Sequence, residues 1–384
     1  MTSTDAVPPA KDAGPPTGAA SPAGFVPPPY PYDRLDEITA IAGRHAGGAV
    51  DLSVGTPCDP PPQEVIAALA DPARAQGYPP SIGTPALRRA AARWIARRLG
   101  ADVDPDRELA ACVGTKEFVA SVPQYLKLRT PGRDTVLYPA ISYPTYAMGA
   151  TLAGLRAAPY RALSDIAAAD ADRALCLWVN SPSNPTGELA DLAAAAEWGR
   201  ARGVPVLSDE CYAEFTYAAE PTTILRSGTA GVLAVHSLSK RDNFAGARIG
   251  FYAGDRELVH YLREVRKHAG LMPPGPVQQA AIVALDDDAH VQAQRDRYWR
   301  RMSRLREILA ALGLVAPLPS GSFYLWLPAP DGDAWGCARL LAEQAGVVAS
   351  PGEFYGPYST GFLRVAAVAP DERIELAARR VGLQ

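Results

Sequence analysis

Helical and extended segments alternate through the middle of the chain. Apolar positions with helical spacing predict helices over 85–99, 115–128, 190–202 and 255–267. Short apolar runs predict strands over 134–138, 174–179, 204–208, 231–236 and 248–253. Several of these runs, such as Ala174-Leu-Cys-Leu-Trp-Val179, are apolar on both faces, which is typical of central parallel strands covered by helices. The alternation predicts an α/β domain around a mainly parallel sheet.

The N-terminal region has a different pattern. Residues 1–30 are rich in Pro, Ala and Gly with little to bury, so we expect a disordered tail there. The apolar stripe Leu35, Ile38 and Ile41 then predicts a short helix, and residues 51–54 predict a strand. We expect residues 31–60 to form an N-terminal arm and part of a small domain.

Beyond about residue 270 the pattern changes to long amphipathic helices with few strands. The predicted elements are helices over 276–286, 289–313 and 335–345 and strands over 322–326 and 361–365. We therefore expect a large domain over 61–275 and a small α+β domain over 276–384.

Composition narrows the classes of function. The net charge of −3 comes without a basic stripe, which argues against nucleic-acid binding. No run reaches the roughly 18 apolar residues of a membrane span, and no signal-peptide core is present, so we expect a cytoplasmic protein without membrane partners. The five cysteines and five histidines are scattered, and we predict no metal site. Small molecules remain as the partner class.

Lys240 is the first candidate for chemistry. It lies in Ser237-Leu-Ser-Lys240, just after the predicted strand 231–236, and Arg248 follows eight residues later. A lysine is usually a solvated surface charge. The carboxyl ends of parallel strands, however, are where α/β sheets bind ligands, and two serines with an arginine supply donors for a phosphate. The pattern favours Lys240 as the lysine that binds an aldehyde cofactor.

Two further segments follow predicted strands. Ser208-Asp-Glu-Cys-Tyr212 places an acid and a tyrosine at a strand end, and Asn180-Ser-Pro-Ser-Asn184-Pro-Thr-Gly187 places amides there. Capping acids and an ordinary Asn-Pro turn are the structural alternatives. An Asp can also pair with a protonated pyridine nitrogen, and a tyrosine can bind a ring hydroxyl. Three strand ends would then direct polar groups at one crevice.

The segment Val113-Gly-Thr-Lys-Glu117 joins a short strand to a predicted helix. Its backbone amides would form a helix N-terminus suited to a phosphate, although Gly-Thr is also an ordinary helix start. Near the C-terminus, Arg364 lies in a predicted apolar strand. A surface salt bridge is the structural interpretation of such an arginine.

Together these motifs resemble the fold-type I enzymes of the class I and II aminotransferase group, which use pyridoxal 5'-phosphate (PLP). The resemblance covers nearly everything from about residue 33 and rests on N-P-T-G, D-E-x-Y, S-x-S-K with the later arginine, and F-x-R-V. It implies an α/β fold with a mainly parallel seven-stranded sheet between helices and a smaller α+β domain. It also implies amino-acid and 2-oxo-acid substrates and a homodimer with active sites at the interface.

The same resemblance implies a role for each candidate residue. Lys240 would bind PLP covalently and move the substrate proton, with Asp209 at the pyridine nitrogen and Tyr212 at the ring hydroxyl. Arg364, with Gly55 and Asn184, would hold the substrate α-carboxylate. The other implied cofactor contacts are Tyr143 on the ring face, Asn184 at the ring hydroxyl, and a phosphate cup of Gly114, Thr115, Lys116, Ser237, Ser239 and Arg248, with Tyr78 from the other subunit.

Four segments (52–57, 178–187, 235–241 and 265–272) are similar to actinobacterial succinyldiaminopimelate transaminases. This likeness implies transamination of N-succinyl-LL-2,6-diaminopimelate with 2-oxoglutarate and glutamate, in lysine and diaminopimelate biosynthesis. Arg241, Arg266 and Lys267 are candidates for binding the distal end of the substrate.

One segment departs from that group. Where the group usually reads S-N-L-A-G-Y-R, this chain has Asp242-Asn-Phe-Ala-Gly-Ala-Arg248. A specialised-metabolism aminotransferase, or a PLP-dependent oxidase or lyase, therefore stays open. A PLP-binding gene regulator is disfavoured, because residues 1–30 cannot supply a DNA-binding domain.

Overall fold

A computed structural model describes residues 24–384, so most of the predicted tail, residues 1–23, lies outside the described residues. The helices are α1 Asp36–Ala42, α2 Gln63–Leu69, α3 Pro85–Trp94, α4 Thr115–Arg129, α5 Thr145–Leu152, α6 Ala168–Arg173, α7 Leu192–Arg202, α8 Leu238–Arg241, α9 Arg256–His268, α10 Gly275–Asp286, α11 Ala289–Ala311, α12 Ala334–Ala345 and α13 Asp371–Arg380. The strands are β1 Val50–Asp51, β2 Leu109–Cys112, β3 Thr135–Pro139, β4 Arg156–Tyr160, β5 Ala174–Asn180, β6 Val206–Asp209, β7 Val232–Ser237, β8 Gly250–Gly254, β9 Tyr324–Pro328, β10 Val347–Val348, β11 Ser350–Pro351 and β12 Phe362–Ala366.

The largest sheet has seven strands in the order β2-β8-β7-β6-β5-β3-β4. The five strands from β7 to β4 are parallel, whereas β8 is antiparallel to both of its neighbours. Every residue of β5, β6 and β7 is buried, because α4, α5 and α9 pack on one face of the sheet and α3, α7 and α10 on the other. The predicted mainly parallel, seven-stranded α/β fold is confirmed.

The three central strands end side by side. Asn180 at the end of β5 is paired with Asp209 at the end of β6, and Asp209 is paired with Val235 of β7. The chain enters α8 directly after β7, which places Lys240 one turn beyond the sheet edge. Parallel pairing therefore gathers polar residues from three distant segments at one edge.

A second hydrophobic core joins residues 35–52 to residues 291–378. Its sheet has the order β11-β12-β9, with Arg364 of β12 paired to Ser350 and Trp326. The short strand β1 pairs in parallel with β10. The N-terminal arm thus packs with the C-terminal elements, while the division into domains with boundaries near residues 60 and 275 stays a prediction.

Several elements differ from the sequence expectation. The helix predicted over 85–99 is an α-helix only to Trp94 and continues as a π-helical turn over Ile95–Leu99. The strand predicted over 51–54 is limited to Val50–Asp51, because its partner β10 has only two residues. Sequence reasoning missed the elements α2, α5, α6, α8, α13, β4, β10 and β11. No helix within residues 24–384 is both long and apolar enough to cross a membrane.

Glu210 and His236 form a buried pair behind the strand ends. The Glu210 carboxyl accepts hydrogen bonds of 2.8 Å from the Ser208 hydroxyl and the Ile224 amide, and its other oxygen lies 3.4 Å from His236 Nε2. Burial raises the pKa of Glu210 to about 7 and lowers the pKa of His236 to about 3. Both groups are therefore mainly uncharged in weakly acidic solution.

Replacing Glu210 with Gln tests this burial. A carboxyl whose pKa is higher in the folded chain than in the unfolded chain takes up a proton on folding. The free energy of unfolding of the wild type therefore falls as pH rises from about 4.5 to about 7. The advantage of Glu210→Gln over wild type in free energy of unfolding is expected to grow by about 3 kcal/mol across that window. Denaturant unfolding at several pH values measures this difference, with the exposed Glu220→Gln as control. A difference that stays constant with pH would contradict a protonated Glu210.

Candidate active site

A cavity of about 390 Å³ opens at the carboxyl ends of β5, β6 and β7. The residues predicted to act in catalysis, to bind the cofactor or to hold the substrate α-carboxylate all line it, except Tyr78 and Gly114. Gly114 precedes the lining residue Thr115, whereas the Tyr78 side chain is 94% exposed elsewhere on this chain. Within residues 24–384, no three His, Cys, Asp or Glu side chains are grouped so that they could hold a metal ion.

Lys240 lines this cavity. Its ammonium nitrogen donates a hydrogen bond to the Gly55 carbonyl oxygen and lies 5.9 Å from the centre of the Phe323 ring. Burial lowers the pKa of Lys240 to about 8. A fraction of the amine is therefore uncharged near neutral pH, as attack on an aldehyde or removal of a proton requires.

Asp209 ends β6 on the floor of the cavity. Its carboxylate accepts hydrogen bonds from the Tyr146 hydroxyl at 2.8 Å and from the Cys211 amide at 3.2 Å. Burial raises the pKa of Asp209, while hydrogen bonds from Cys211 and Tyr146 and the charge of Lys240 lower it. A cationic ring nitrogen at this carboxylate would favour its ionised form further. Sequence reasoning missed Tyr146, which lies three residues after Tyr143 in the first turn of α5.

Arg364 is 1% exposed, so the alternative of a surface salt bridge is wrong. Its guanidinium donates to Asn184 Oδ1 at 2.7 Å, to the Ser53 carbonyl oxygen and to the Tyr32 hydroxyl at 3.3 Å. No acidic side chain within residues 24–384 pairs with it. A buried charge without a counter-ion is costly, so an anion from a ligand would stabilise this arginine.

Aromatic rings enclose the Arg364 guanidinium. Its central carbon lies 4.2 Å from the centre of the Tyr324 ring and 4.7 Å from the centre of the Tyr355 ring. Cations are attracted to ring faces, and the effect grows where water is excluded. The two rings therefore stabilise the buried charge at this position.

A second anion site lies at the start of α4. Gly114 has a φ of 75°, and a Cβ there would overlap the Arg248 guanidinium, so only glycine leaves room for that arginine. The Ser237 hydroxyl accepts a hydrogen bond of 3.1 Å from the Ser239 amide and so caps the N-terminus of α8. Arg248 forms no ion pair within the described part of the chain. Helix amides, hydroxyls and an arginine without an acidic partner in the described residues are the donor set that a phosphate requires.

The N-terminal segment also contributes to the cavity, which sequence reasoning missed. Tyr30 and Tyr32 line it, and the Lys116 ammonium lies 5.2 Å from the centre of the Tyr30 ring. The Tyr32 hydroxyl is 3.1 Å from the Tyr355 hydroxyl. Nothing in the Pro-rich sequence before Pro31 indicates this placement, because it depends on packing against the C-terminal core.

The candidates for binding a distal substrate group do not line the cavity. Arg241 is buried in ion pairs with Glu214 and Asp242, and Arg266 is paired with Glu117 at 2.6 Å. Lys267 is exposed on α9. The two arginines therefore stabilise the fold, and the residues that bind the distal group must be sought elsewhere.

Comparison with known proteins agrees with this geometry. The family described as aminotransferase class I and II matches residues 48–381. A probable aminotransferase of Mycobacterium tuberculosis is 42% identical over 366 residues, covering 92% of this chain and 85% of that protein. The 4-dedimethylamino-4-oxo-anhydrotetracycline transaminase OxyQ of Streptomyces rimosus is 42% identical over 362 residues, covering 92% of this chain and 99% of OxyQ.

A solved structure is also similar over nearly its full length. The probable N-succinyldiaminopimelate aminotransferase of Thermus thermophilus has a TM-score of 0.80 and 32% identity, covering 91% of this chain and 98% of that one. Enzymes of this family and fold use PLP as their cofactor. The cavity contains the groups that PLP requires, namely an amine, a carboxylate and donors for a phosphate. The chain therefore belongs to the class I and II aminotransferase family and is a PLP-dependent aminotransferase.

Proposed function

We propose that this enzyme transfers an amino group between an α-amino acid and a 2-oxo acid, with Lys240 as the covalent carrier of PLP. One observation carries the proposal: Lys240 shares a cavity with two arginines that lack an acidic partner within residues 24–384, Arg248 and Arg364. Two such cations match the two anionic groups to be bound, the cofactor phosphate and the substrate α-carboxylate.

The remaining residues are proposed to orient the cofactor. When bound, PLP supplies an aldehyde that condenses with amines and a ring that withdraws electrons. Asp209 holds the proton at the ring nitrogen, and Tyr212 and Asn184 donate to the ring hydroxyl oxygen. Tyr143 covers the ring face, and the phosphate cup is formed by Gly114, Thr115, Lys116, Ser237, Ser239 and Arg248.

Lys240 is also proposed to move the substrate proton. Once the substrate amine has replaced Lys240 on PLP, the freed and uncharged Nζ would remove the proton from Cα of the amino acid and would deliver it to the former aldehyde carbon of the cofactor. Arg364 and Asn184 hold the α-carboxylate while Gly55 lies beside the reacting amine. A carboxylate held in this way stays on the substrate, so the Cα–H bond is the one that breaks.

Removal of the Lys240 amine tests these roles. Lys240→Ala is expected to lower kcat by about 10²–10⁴-fold, because the group that transfers the proton is absent. The matched control Lys267→Ala removes an exposed lysine on α9 and should leave kcat unchanged. Steady-state assays on PLP-loaded protein measure both rates. Full activity of Lys240→Ala would rule out the proposed proton carrier.

We further propose a homodimer in which Tyr78 of each subunit reaches the phosphate in the other. The support is that this large aromatic side chain is 94% exposed in the structure of residues 24–384. A second copy placed against the segment around Tyr78 would bury the ring and complete the phosphate cup.

The proposed substrate is N-succinyl-LL-2,6-diaminopimelate. Glutamate and 2-oxoglutarate form the amino-acid and 2-oxo-acid pair of the other half-reaction. The four sequence segments similar to succinyldiaminopimelate transaminases and the likeness to the Thermus thermophilus structure support this assignment. A second candidate is amino transfer to a ketone of specialised metabolism. It is favoured by the 42% identity to OxyQ over 99% of that enzyme and by Ala247, which replaces the usual tyrosine beside Arg248.

Single half-reactions distinguish the two candidates. PLP-loaded enzyme mixed with glutamate or with N-succinyl-LL-2,6-diaminopimelate is expected to convert to the amine form of the cofactor, which absorption spectroscopy detects. Conversion by both compounds supports the diaminopimelate assignment. Conversion by glutamate alone contradicts it and favours a specialised amino acceptor.

A further inference from the structure

Tyr324 lies between two groups that the proposed function assigns to different ligands. It belongs to β9, which pairs with β12, the strand that carries Arg364. The side chain is 1% exposed, so its hydroxyl depends on protein partners. That hydroxyl lies 2.8 Å from the hydroxyl of Tyr212. The face of its ring lies 4.2 Å from the central carbon of Arg364.

The Tyr324 hydroxyl also explains the glycine at position 55. A Cβ on Gly55 would overlap this hydroxyl, so any larger residue there would displace Tyr324. The carbonyl oxygen of the same glycine accepts the hydrogen bond from Lys240. Gly55 therefore accommodates a protein side chain, and its lack of a side chain does not depend on a substrate.

The other tyrosines at Arg364 make different contacts. Tyr355 lies 4.7 Å from the guanidinium carbon, and Tyr32 is a hydrogen-bond partner of the same group. Their hydroxyls, however, lie 3.1 Å from each other and not beside Tyr212. Tyr324 thus combines a contact with the proposed carboxylate-binding residue and a contact with the proposed ring-hydroxyl-binding residue.

We infer that Tyr324 is a positioning residue, which orients the Tyr212 hydroxyl toward the cofactor and the Arg364 fork toward the substrate carboxylate. This inference rests on the proposed function of those two residues. Because Tyr212 must donate its own proton to the cofactor oxygen, Tyr324 is the donor in the bond between the hydroxyls. A hydroxyl that accepts a hydrogen bond is itself a stronger donor. Tyr324 therefore strengthens the hydrogen bond that Tyr212 makes.

The two contacts can be removed separately. Tyr324→Phe keeps the ring over Arg364 and removes the hydroxyl, whereas Tyr324→Leu removes both. The matched control is Tyr298→Phe, which removes a hydroxyl from another buried tyrosine. The centres of the Tyr298 and Phe323 rings are 4.6 Å apart, and Phe323 also packs against Tyr324. The Tyr298 hydroxyl lies 3.5 Å from Asn243 and does not contact Tyr212 or Arg364.

The first measurement is the pH midpoint of the visible absorption of lysine-bound PLP. A weaker hydrogen bond from Tyr212 stabilises the ring oxygen anion less, so the neighbouring nitrogen keeps its proton to higher pH. Tyr324→Phe is expected to raise the midpoint by about 0.3–0.7 unit, and Tyr298→Phe should leave it unchanged. A residue that only fills space would not move this midpoint.

The second measurement is the dissociation constant of glutarate, a dicarboxylic acid that cannot react, by calorimetry on PLP-loaded protein. Loss of the ring over Arg364 in Tyr324→Leu is expected to weaken binding by about 5–30-fold. Tyr324→Phe should stay within about twofold of wild type, since a ring remains in place.

The outcomes separate this inference from the proposed function. If wild type shows the band and Tyr324→Phe shifts its midpoint while Tyr298→Phe does not, the positioning role is supported. If the two variants have the wild-type midpoint, the role is overturned while the proposed function stands. A wild-type protein without the band would overturn both. If Tyr324→Leu does not fold, the midpoint of Tyr324→Phe alone decides.

Discussion

The buried charge of Arg364 is the constraint on which the arrangement of this active site depends. A guanidinium with almost no exposed surface and no acidic partner in the described chain must be stabilised by neutral groups. The structure supplies an amide oxygen from Asn184, a backbone carbonyl from Ser53 and two tyrosine rings. These contacts come from four separate segments, so the charge can be accommodated only when the strands, the N-terminal arm and the C-terminal core have assembled.

The parallel sheet solves the complementary problem of bringing reactive groups together. Asp209 and Lys240 are far apart along the chain, but adjacent parallel strands end at one edge, so both groups face the same cavity without a specialised loop. The helices that bury β5, β6 and β7 also exclude water from the floor of that cavity. Burial there raises the pKa of Asp209 and lowers that of Lys240, and both shifts make the groups responsive to the charge of a bound ligand.

Sequence reasoning was most successful where chemistry follows a strand. Lys240, Asp209 and Asn184 could be located because a polar residue after a long apolar run is a local signal that the fold converts into proximity. Tyr32 and Tyr324 could not, because each reaches the cavity through contacts between distant segments that no local pattern records. Gly55 shows the same limit, since its small size reflects the Tyr324 hydroxyl above it.

Lys240, and no other lysine, is the residue proposed to carry the cofactor. Borohydride reduction of PLP-loaded protein makes that linkage permanent, and mass mapping of the resulting peptides locates it. We predict a single labelled peptide that contains Lys240. A label on Lys116 or Lys267, or no stable label on any lysine, would contradict the assignment of Lys240 as the cofactor-binding lysine.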